Sequence, residues 1–248
     1  MPVSRWVSSV ARRRWRYRRI LLKLSGGCFA DDRLLDHAAR QITQTANLKT
    51  EIAVVVGGGN ILRGRDTETK PRNRKSRVLM DRVCADQSGM LATCINGNRL
   101  CAALAGKTET RHLCAITIPG FVDHYSVPLG RETLTQGRVL VLSGGTGNPF
   151  FSTDSAAALR AAELEAEALL KATDVAGVFS ADPKKDEAAR LYKKLSYEQA
   201  LTERLAVMDM TAFAFCMERR IPIHIFDLRR RRSVVDIIKG KETGSYIC

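Results

Sequence analysis

Short apolar runs alternate along the chain with segments whose apolar residues recur at helical spacing. The first run, Arg19–Leu24, has the length of a strand, and the segment Asp32–Ala46 after it predicts a helix. Further strands are predicted over residues 52–56, 113–118, 138–142, 168–171 and 222–226, and further helices over residues 83–104, 154–166 and 210–219. This alternation, with continuously apolar strands, is typical of an α/β fold whose mostly parallel sheet is covered by helices on both faces.

Three of the apolar runs lead directly into glycine-rich turns. The turns read SGG at 25–27, GGGN at 57–60 and GGTGN at 144–148. Ligands of open α/β sheets bind beyond the carboxyl ends of the strands, and glycine lets backbone N–H groups approach a phosphate closely. One such turn is equally consistent with a tight connection, but three of them predict a phosphate-binding site. Since the Walker, Rossmann and protein-kinase glycine patterns do not occur in the sequence, the site belongs to another nucleotide-binding class.

The formal net charge of +14 is concentrated in three basic runs, at residues 1–19, 63–82 and 229–232. Such runs favour binding to nucleotides, nucleic acid or acidic membrane surfaces, or they are solvated surface. Nucleic acid stays an alternative partner, although no sequence pattern of a nucleic-acid-binding module accompanies these runs. No apolar run approaches the ~18–20 residues that a membrane span needs, so a membrane is not an expected partner.

The first basic run predicts the domain boundary. Residues 1–18 are expected to form a basic, disordered tail, and residues 19–248 a single domain. The arginine- and serine-rich, acid-free composition of the tail also resembles an organelle transit peptide. The seven cysteines form no CxxC pair and have no metal-ligand spacing, which predicts reduced thiols and a cytoplasmic protein.

Four sequence segments carry a resemblance to a known family. They read KLSG at 23–26, GGGNILRG at 57–64, GGTGNPFFSTDSAA at 144–157 and LKATDVAGVFSADP at 170–183. In this order they resemble the bacterial UMP kinases of the amino-acid kinase superfamily, and the resemblance runs from about residue 19 to the last residue. It implies a three-layer αβα sandwich, transfer of the γ-phosphoryl group of ATP to UMP with Mg²⁺, a place in pyrimidine nucleotide biosynthesis, and a homohexamer.

The resemblance implies a catalytic role for Lys23, Arg63 and Asp154. Lys23 would span the transferring phosphates, Arg63 would clamp a phosphate, and Asp154 would organise the lysine and the phosphates. The alternatives are a surface lysine at a strand end, a solvated arginine and an aspartate that caps a helix. The residues implied in ATP binding are Lys23, Ser25, Gly26, Gly59, Arg63, Thr173, Phe179 and Asp182. Phe179 is equally consistent with a core position.

The acceptor nucleotide is expected on the third glycine turn and the helix that precedes it in the chain. The residues implied in UMP binding are Gly58, Asp86, Thr146, Gly147, Asn148, Pro149, Phe150, Phe151, Ser152 and Thr153. Asp86 would accept hydrogen bonds from the ribose, or would be an acid that the dipole of a helix N-terminus stabilises. No residue is implied as a metal ligand, and Mg²⁺ is expected to accompany ATP.

The sequence departs from the pattern of the family at several positions. Gly27 stands where the family has an acid, and Cys101 and Ala102 stand where many bacterial members have an Arg-Asp pair tied to GTP regulation. These changes leave the glycine turns intact and predict weak or no activation by GTP.

Two other functions remain open from the sequence. One is a kinase of the same fold that acts on an amino acid, a carbamate or acetylglutamate. The other is a non-catalytic regulator that binds nucleotides or nucleic acid through the basic runs. The loop TGNPFFSTD at 146–154 argues against the first alternative, and the presence of Lys23, Arg63 and Asp154 argues against the second.

Overall fold

The structure is a computed structural model that describes residues 15–62, 80–183, 185–186, 188–205 and 207–248. Its strands are β1 (Arg19–Leu24), β2 (Glu51–Val56), β3 (Thr110–Cys114), β4 (Asp123–His124), β5 (Val139–Ser143), β6 (Ala168–Thr173), β7 (Val178–Phe179), β8 (Leu191–Tyr192), β9 (Lys194–Leu195), β10 (Ile223–Asp227) and β11 (Ser245–Ile247). Its α-helices are α1 (Asp32–Ala46), α2 (Arg82–Leu104), α3 (Val127–Thr135), α4 (Thr153–Glu163), α5 (Tyr197–Thr202), α6 (Met210–Glu218) and α7 (Ser233–Ile238), and a short 3₁₀ helix covers Gly26–Phe29.

Nine of the described strands form one sheet, in the order β4-β3-β5-β2-β1-β6-β10-β11-β9. Within the described residues, the pairs in this sheet are parallel except for β10 with β11. Strand β1 lies in the middle, with β2 on one side and β6 on the other. The chain builds the β2 side first and then crosses β1 to reach β6, so the strand order reverses at β1. Open α/β sheets bind ligands at this kind of reversal.

Helices cover both faces of the sheet, because side chains of a strand alternate between faces. On β1, Leu21 belongs to a core that includes Ala156 of α4 and Phe213 of α6. Its neighbours Ile20 and Leu22 belong to the opposite core, which includes residues of α1, α2 and α7. The predicted α/β fold with a mostly parallel, doubly covered sheet is therefore confirmed, and it is a three-layer αβα sandwich. None of the helices in the described ranges is long and apolar enough to cross a membrane.

The strand predicted over residues 113–118 is wrong in its second half. Strand β3 ends at Cys114, and the chain then turns through Pro119 and Gly120, whose φ of +80° lies in the left-handed region. Proline cannot donate a ladder hydrogen bond, and glycine accepts the left-handed backbone without strain. The segment ITI at 116–118 thus belongs to a turn, which is closed by a bridge between Ile118 and Val122.

The chain begins to pack against the domain before residue 19. Tyr17 is 7% exposed, and its hydroxyl lies 2.8 Å from Nε2 of the buried His224 on β10. The backbone N–H of Arg16 donates to the carbonyl of Ile238 at 2.9 Å, and its guanidinium lies 4.3 Å from the centre of the Tyr246 ring. Residues 16 and 17, which the sequence predicts to belong to the tail, therefore contact the folded domain. Residues 1–14 of the expected tail lie outside the described residues.

We expect Tyr17→Ala to lower the free energy of unfolding by about 3 kcal/mol, because it removes a buried ring and leaves His224 without its hydrogen-bond partner. Urea unfolding, with the midpoint and the slope both fitted, measures this change. Truncation of residues 1–14 keeps every contact described above and serves as the control, with an unchanged midpoint expected. A free energy of unfolding for Tyr17→Ala within about 0.5 kcal/mol of that of the parent would show that the ring does not anchor the segment.

Candidate active site

The centre of the candidate site is a buried lysine–aspartate cluster made of Lys23, Asp154 and Lys171. The ammonium nitrogen of Lys23 lies 2.6 Å from Oδ1 of Asp154, and that of Lys171 lies 2.7 Å from Oδ2 of the same carboxylate. The side chains are only 10%, 13% and 15% exposed, respectively. One carboxylate is thus shared by two ammonium groups inside the protein.

The fold explains why the two lysines meet. Strands β1 and β6 are parallel neighbours, and Lys23 stands directly opposite Lys171 in their register. Both side chains lie on the face of the sheet that Leu21 and Leu169 occupy, since each lysine is two residues after one of these leucines. Helix α4 packs on that face, and its first turn supplies Asp154. The cluster therefore sits where the strand order reverses.

Burial and charge act on the cluster in opposite directions. Burial alone would raise the pKa of Asp154, but the charges of Lys23 and Lys171 outweigh it and hold the pKa below its ordinary value. Burial lowers the pKa of Lys171, and the carboxylate of Asp154 counteracts part of that change. Lys171 is further held by a 2.8 Å hydrogen bond to the carbonyl of Val207. Within the cluster itself, two ammonium groups and one carboxylate leave one net positive charge, and the carboxylate of Asp209 acts on Lys171 from nearby.

The first two glycine turns lie against each other beside the cluster. A Cβ on Gly26 would lie 2.4 Å from the backbone N of Gly59 and 2.7 Å from that of Asn60, so only glycine permits this contact. The side-chain amide of Asn96 on α2 braces the second turn by donating to the Gly57 carbonyl at 2.7 Å. A Cβ on Gly58 would lie 2.7 Å from the carbonyl of Gly89, so this turn also packs closely on α2. Ser25 precedes the 3₁₀ helix, and its carbonyl accepts from the N–H of Cys28 at 3.0 Å.

The third glycine turn opens a partly exposed loop, residues 144–153, which we call the acceptor loop after the role that the sequence predicts for it. Gly144, Gly145 and Gly147 have φ values of +76°, +61° and +85°, a backbone region that favours glycine. The N–H of Gly144 donates to the hydroxyl of Thr93 on α2 at 2.7 Å. Further along, the Thr146 hydroxyl accepts from the N–H of Asn148 at 3.2 Å, which tightens the turn before Pro149.

Asp86 on α2 reaches the acceptor loop. Its carboxylate accepts from the backbone N–H of Phe150 at 2.8 Å and pairs with Arg82 at 2.8 Å. Helix α2 begins at Arg82 after its cap Asp81, so Asp86 lies beyond the first turn, where the dipole acts most strongly on an acid. The rings of Phe150 and Phe151 are 67% and 52% exposed, which leaves two aromatic surfaces open at the loop.

The end of the acceptor loop is tied to helix α6. The hydroxyl of Ser152 accepts from the N–H groups of Asp154 and Ser155 and thereby caps α4, of which Thr153 is the first residue. The alternative role of Asp154 as the helix cap is therefore wrong, because Ser152 takes that position and leaves the carboxylate for the lysines. Ser152 also donates to the carboxylate of Asp209, which itself caps α6.

The remaining predicted residues lie on the other side of β1 or outside the described part. Thr173 ends β6, and its hydroxyl donates to the carbonyl of Val175 at 2.8 Å. Phe179 lies on β7, which pairs with β8 in a separate two-stranded sheet and is followed by the exposed Asp182. Arg63 lies outside the described residues.

Sequence reasoning missed Lys171 and Asp209. A signal for Lys171 existed, because strand β6 reads ALLKA and strand β1 reads ILLKL, with a lysine at the same place in an otherwise apolar strand. A lysine in a buried strand needs an anionic partner, so this pattern indicates that the two lysines need one or more nearby carboxylates. Asp209 carried no comparable signal, since an aspartate before a helix is an ordinary cap.

Comparisons with known proteins agree with this geometry. The sequence model of the amino acid kinase family matches residues 18–227. The uridylate kinase of Saccharophagus degradans is 41% identical over 94% of each chain, and that of Colwellia psychrerythraea is 41% identical over 93% of this chain and 94% of its own.

Solved structures of UMP kinases also resemble this chain. The crystal structure of UMP kinase from Bacillus anthracis superposes with a TM-score of 0.85 at 32% identity and covers 93% of this chain and 96% of its own. The UMP kinase from Ureaplasma parvum gives a TM-score of 0.84 at 34% identity, over 94% of this chain and 99% of its own. With a match that spans most of the sequence and close relatives of nearly equal length, this chain belongs to the amino acid kinase family.

Proposed function

We propose that this chain is a UMP kinase that transfers the γ-phosphoryl group of ATP to UMP and releases ADP and UDP. The observation that carries the proposal is the lysine–aspartate cluster, which places two buried ammonium groups near the carboxyl ends of the strands that lead into the glycine turns, in a chain related to uridylate kinases. The product would enter pyrimidine nucleotide biosynthesis. The relatives favour this acceptor over the amino-acid and carbamate acceptors of other kinases with the same fold.

The proposed mechanism is direct in-line transfer. The phosphate oxygen of UMP is itself the nucleophile, so the reaction needs positioning and charge compensation rather than a general base. Lys23 and Lys171 would hold the non-bridging oxygens of the transferring group, and Asp154 would keep both ammonium groups in place. Because the cluster is assembled before the substrates arrive, its charge stabilises the transition state without further reorganisation.

Histidine chemistry is not part of this proposal. His112 bonds to Ser143, His224 to Tyr17 and His37 to Gln41, and each of these contacts serves packing. Burial lowers the pKa of His112 to about 4, so its ring is neutral at neutral pH.

Magnesium would enter together with ATP. In the described ranges no group of three or more His, Cys, Asp or Glu residues is arranged to hold a metal ion. The carboxylate of Asp154 is taken by two ammonium groups, and that of Asp209 by two hydroxyls and the N–H of Ala212. Because both carboxylates are occupied, the site fits an ion that is held mainly by phosphate oxygens and water, which is how Mg²⁺ commonly binds in nucleotide enzymes. When bound, the ion neutralises charge on the phosphates.

The acceptor would bind on the α2 side of β1. Gly58 and the acceptor-loop residues Thr146, Gly147, Asn148, Pro149, Phe150, Phe151, Ser152 and Thr153 would surround UMP. Asp86 already accepts from Arg82 and from the loop, and a carboxylate has lone pairs left for ribose hydroxyls. Exposed Phe150 and Phe151 offer apolar surface to a base.

The donor would bind on the β6 side. Ser25, Gly26 and Gly59 line the phosphate end of this region, and Thr173, Phe179 and Asp182 would face the nucleoside. Arg63 would clamp a phosphate from the segment that follows the second turn. This division puts the donor and the acceptor on opposite sides of Lys23.

Assembly and compartment are also part of the proposal. The resemblance implies a homohexamer, and Leu91 and Ile95, which lie one turn apart on α2 and are 51% and 52% exposed, offer an apolar surface for contact with a second copy. A cytoplasmic location is supported by the seven cysteines, all of which are free thiols in the structure.

We expect Lys23→Met to lower kcat by about 10²–10³, because it removes a preorganised charge from the transferring group. The fold should persist, since Asp154 keeps Lys171 as a partner. Steady-state turnover with ATP and UMP measures the loss, and UMP binding by calorimetry should stay close to that of the parent. A folded variant that keeps more than about a tenth of the parent kcat would remove Lys23 from the catalytic group.

We expect the double variant Lys23→Met with Lys171→Met to lose about 3–5 kcal/mol of stability, more than the two single variants together, because Asp154 is then buried without a partner. In the parent, the lowered pKa of Asp154 adds stability that is lost as the pH falls. In the double variant, burial without a nearby ammonium group raises the pKa of Asp154. The cost of burying its charge is then relieved as the pH falls and the carboxyl group is protonated. The stability difference should therefore shrink as the pH falls.

Urea midpoints at several pH values between about 5 and 8 measure this dependence. Lys193→Met is the matched control, because Lys193 is 76% exposed. The free energy of unfolding of this variant should stay within about 0.5 kcal/mol of that of the parent. Additive single effects, or a stability difference independent of pH, would show that the two lysines do not share Asp154.

We expect kcat/KM for UMP to exceed that for CMP by at least about tenfold, since a site built to pair with one base rejects the other by leaving buried polar groups unpaired. A coupled assay with UMP, CMP and dCMP measures the ratio. Comparable values for UMP and CMP would leave phosphoryl transfer intact but overturn the proposed acceptor.

A further inference from the structure

Two cysteines meet beneath the acceptor loop. Cys94 on α2 and Cys114 at the end of β3 have their sulfur atoms 3.3 Å apart, and the residues are 8% and 0% exposed. All seven cysteines of the chain lie in its described part, and no other pair of them has a sulfur–sulfur contact there. The contact is between residues on different elements, so it depends on the fold rather than on neighbouring positions in the sequence.

The close approach of α2 to β3 creates this contact. Gly97, one turn after Cys94, faces the ring of His112 on β3, and a Cβ there would lie 2.4 Å from Nε2 of that ring. The helix can therefore lie against the strand only because residue 97 lacks a side chain. His112 is held in turn by the hydroxyl of Ser143 at 2.8 Å, and that hydroxyl donates to Sγ of Cys94 at 3.5 Å.

The same contact touches the start of the acceptor loop. The N–H of Gly144 donates to the hydroxyl of Thr93, the residue next to Cys94. From the other side, Sγ of Cys114 lies 2.9 Å from the position that a Cβ on Gly144 would take. Gly144 is thus packed between the residue before one cysteine and the sulfur of the other. A change in the separation of the two sulfurs must therefore move atoms that surround Gly144.

We propose that Cys94 and Cys114 form a reversible disulfide bond that weakens binding of the acceptor nucleotide. The part of this inference that concerns the acceptor rests on the proposed function, whereas the disulfide itself does not. A peroxide is the oxidant class that the reaction requires.

The chemistry balances with hydrogen peroxide. The Cys114 thiolate attacks one peroxide oxygen, the O–O bond breaks, and hydroxide leaves, which gives a sulfenic acid at Cys114. The sulfur of Cys94 then attacks the sulfenic sulfur, and the S–O bond breaks with release of a second water once protons are counted. Two thiols and one peroxide become one disulfide and two waters.

The environment of the two sulfurs assigns their roles. The two thiols share a hydrogen bond, and this bond lowers the pKa of Cys114 and raises that of Cys94. Burial raises the pKa of Cys94 further. Cys114 is therefore the thiol that reaches the reactive thiolate form first, and Cys94 is the one that resolves the sulfenic acid.

Bond formation has a direct geometric consequence. A disulfide holds its sulfurs about 2.05 Å apart, so they must come more than about 1 Å closer than in the reduced protein. That movement draws the turn of α2 with Thr93 toward β3 and disturbs its bond to Gly144. The acceptor loop starts at Gly144, whereas the donor residues Thr173 and Phe179 lie across β1. The effect should therefore fall on UMP more than on ATP.

The test treats the full-length protein with hydrogen peroxide and maps disulfides by mass spectrometry of non-reduced peptides. We expect a bond between the peptides of Cys94 and Cys114 and recovery of both thiols after dithiothreitol. The KM for UMP should rise about fivefold or more, and the KM for ATP should change less than about twofold. Cys94→Ser should abolish both the bond and the rise in KM, whereas Cys101→Ser, on the same helix, should preserve both.

Each outcome decides the inference. Seven intact thiols after peroxide, or a bond between other cysteines, would overturn it, and this result needs no variant to fold. Formation of the bond with equal changes in both KM values, or with none, would overturn the link to the acceptor loop. If the reduced protein does not turn over UMP at all, the proposed function fails, while the peptide map still decides whether the disulfide forms.

Discussion

Asp154 shares its carboxylate between two ammonium groups that stand opposite each other on neighbouring strands. A buried lysine is costly unless an anion accompanies it, and two buried lysines beside each other repel. One carboxylate between them removes both problems and still leaves a positive charge. The placement of β6 beside β1, and of the first turn of α4 over both strands, meets this requirement. The other features of the candidate site are arranged around it.

The glycines bring backbone N–H groups near that charge. Gly26 and Gly59 are in direct contact, so the ends of β1 and β2 form one continuous surface of main chain. Any side chain at Gly26 would collide with backbone rather than with a movable group. Phosphates carry dispersed charge, and main-chain donors match it without a further ion that would compete for Asp154.

The sequence predicts local elements well and long-range partners poorly. Strand Arg19–Leu24 and helix Asp32–Ala46 were predicted with their observed ends, because periodicity and capping are local signals. The pairing of Lys23 with Lys171 requires the order of strands in the sheet, which periodicity does not contain. Likewise, Tyr17 and His224 are 207 positions apart, so nothing near Tyr17 predicted that it would be buried. The choice between Ser152 and Asp154 as the helix cap also depended on what else needed the carboxylate.

The acceptor loop and the charge cluster cannot vary independently, because α4 connects them. Ser152 ends the loop and caps the helix, and Asp154, two residues later, holds both lysines. Any shift of the loop that turns the start of α4 must also move the carboxylate. Asp209 limits that motion, since its bonds to Ser152 and Ser155 tie the helix start to α6. The end of the loop and the carboxylate that holds both lysines are therefore fixed relative to each other before any substrate binds.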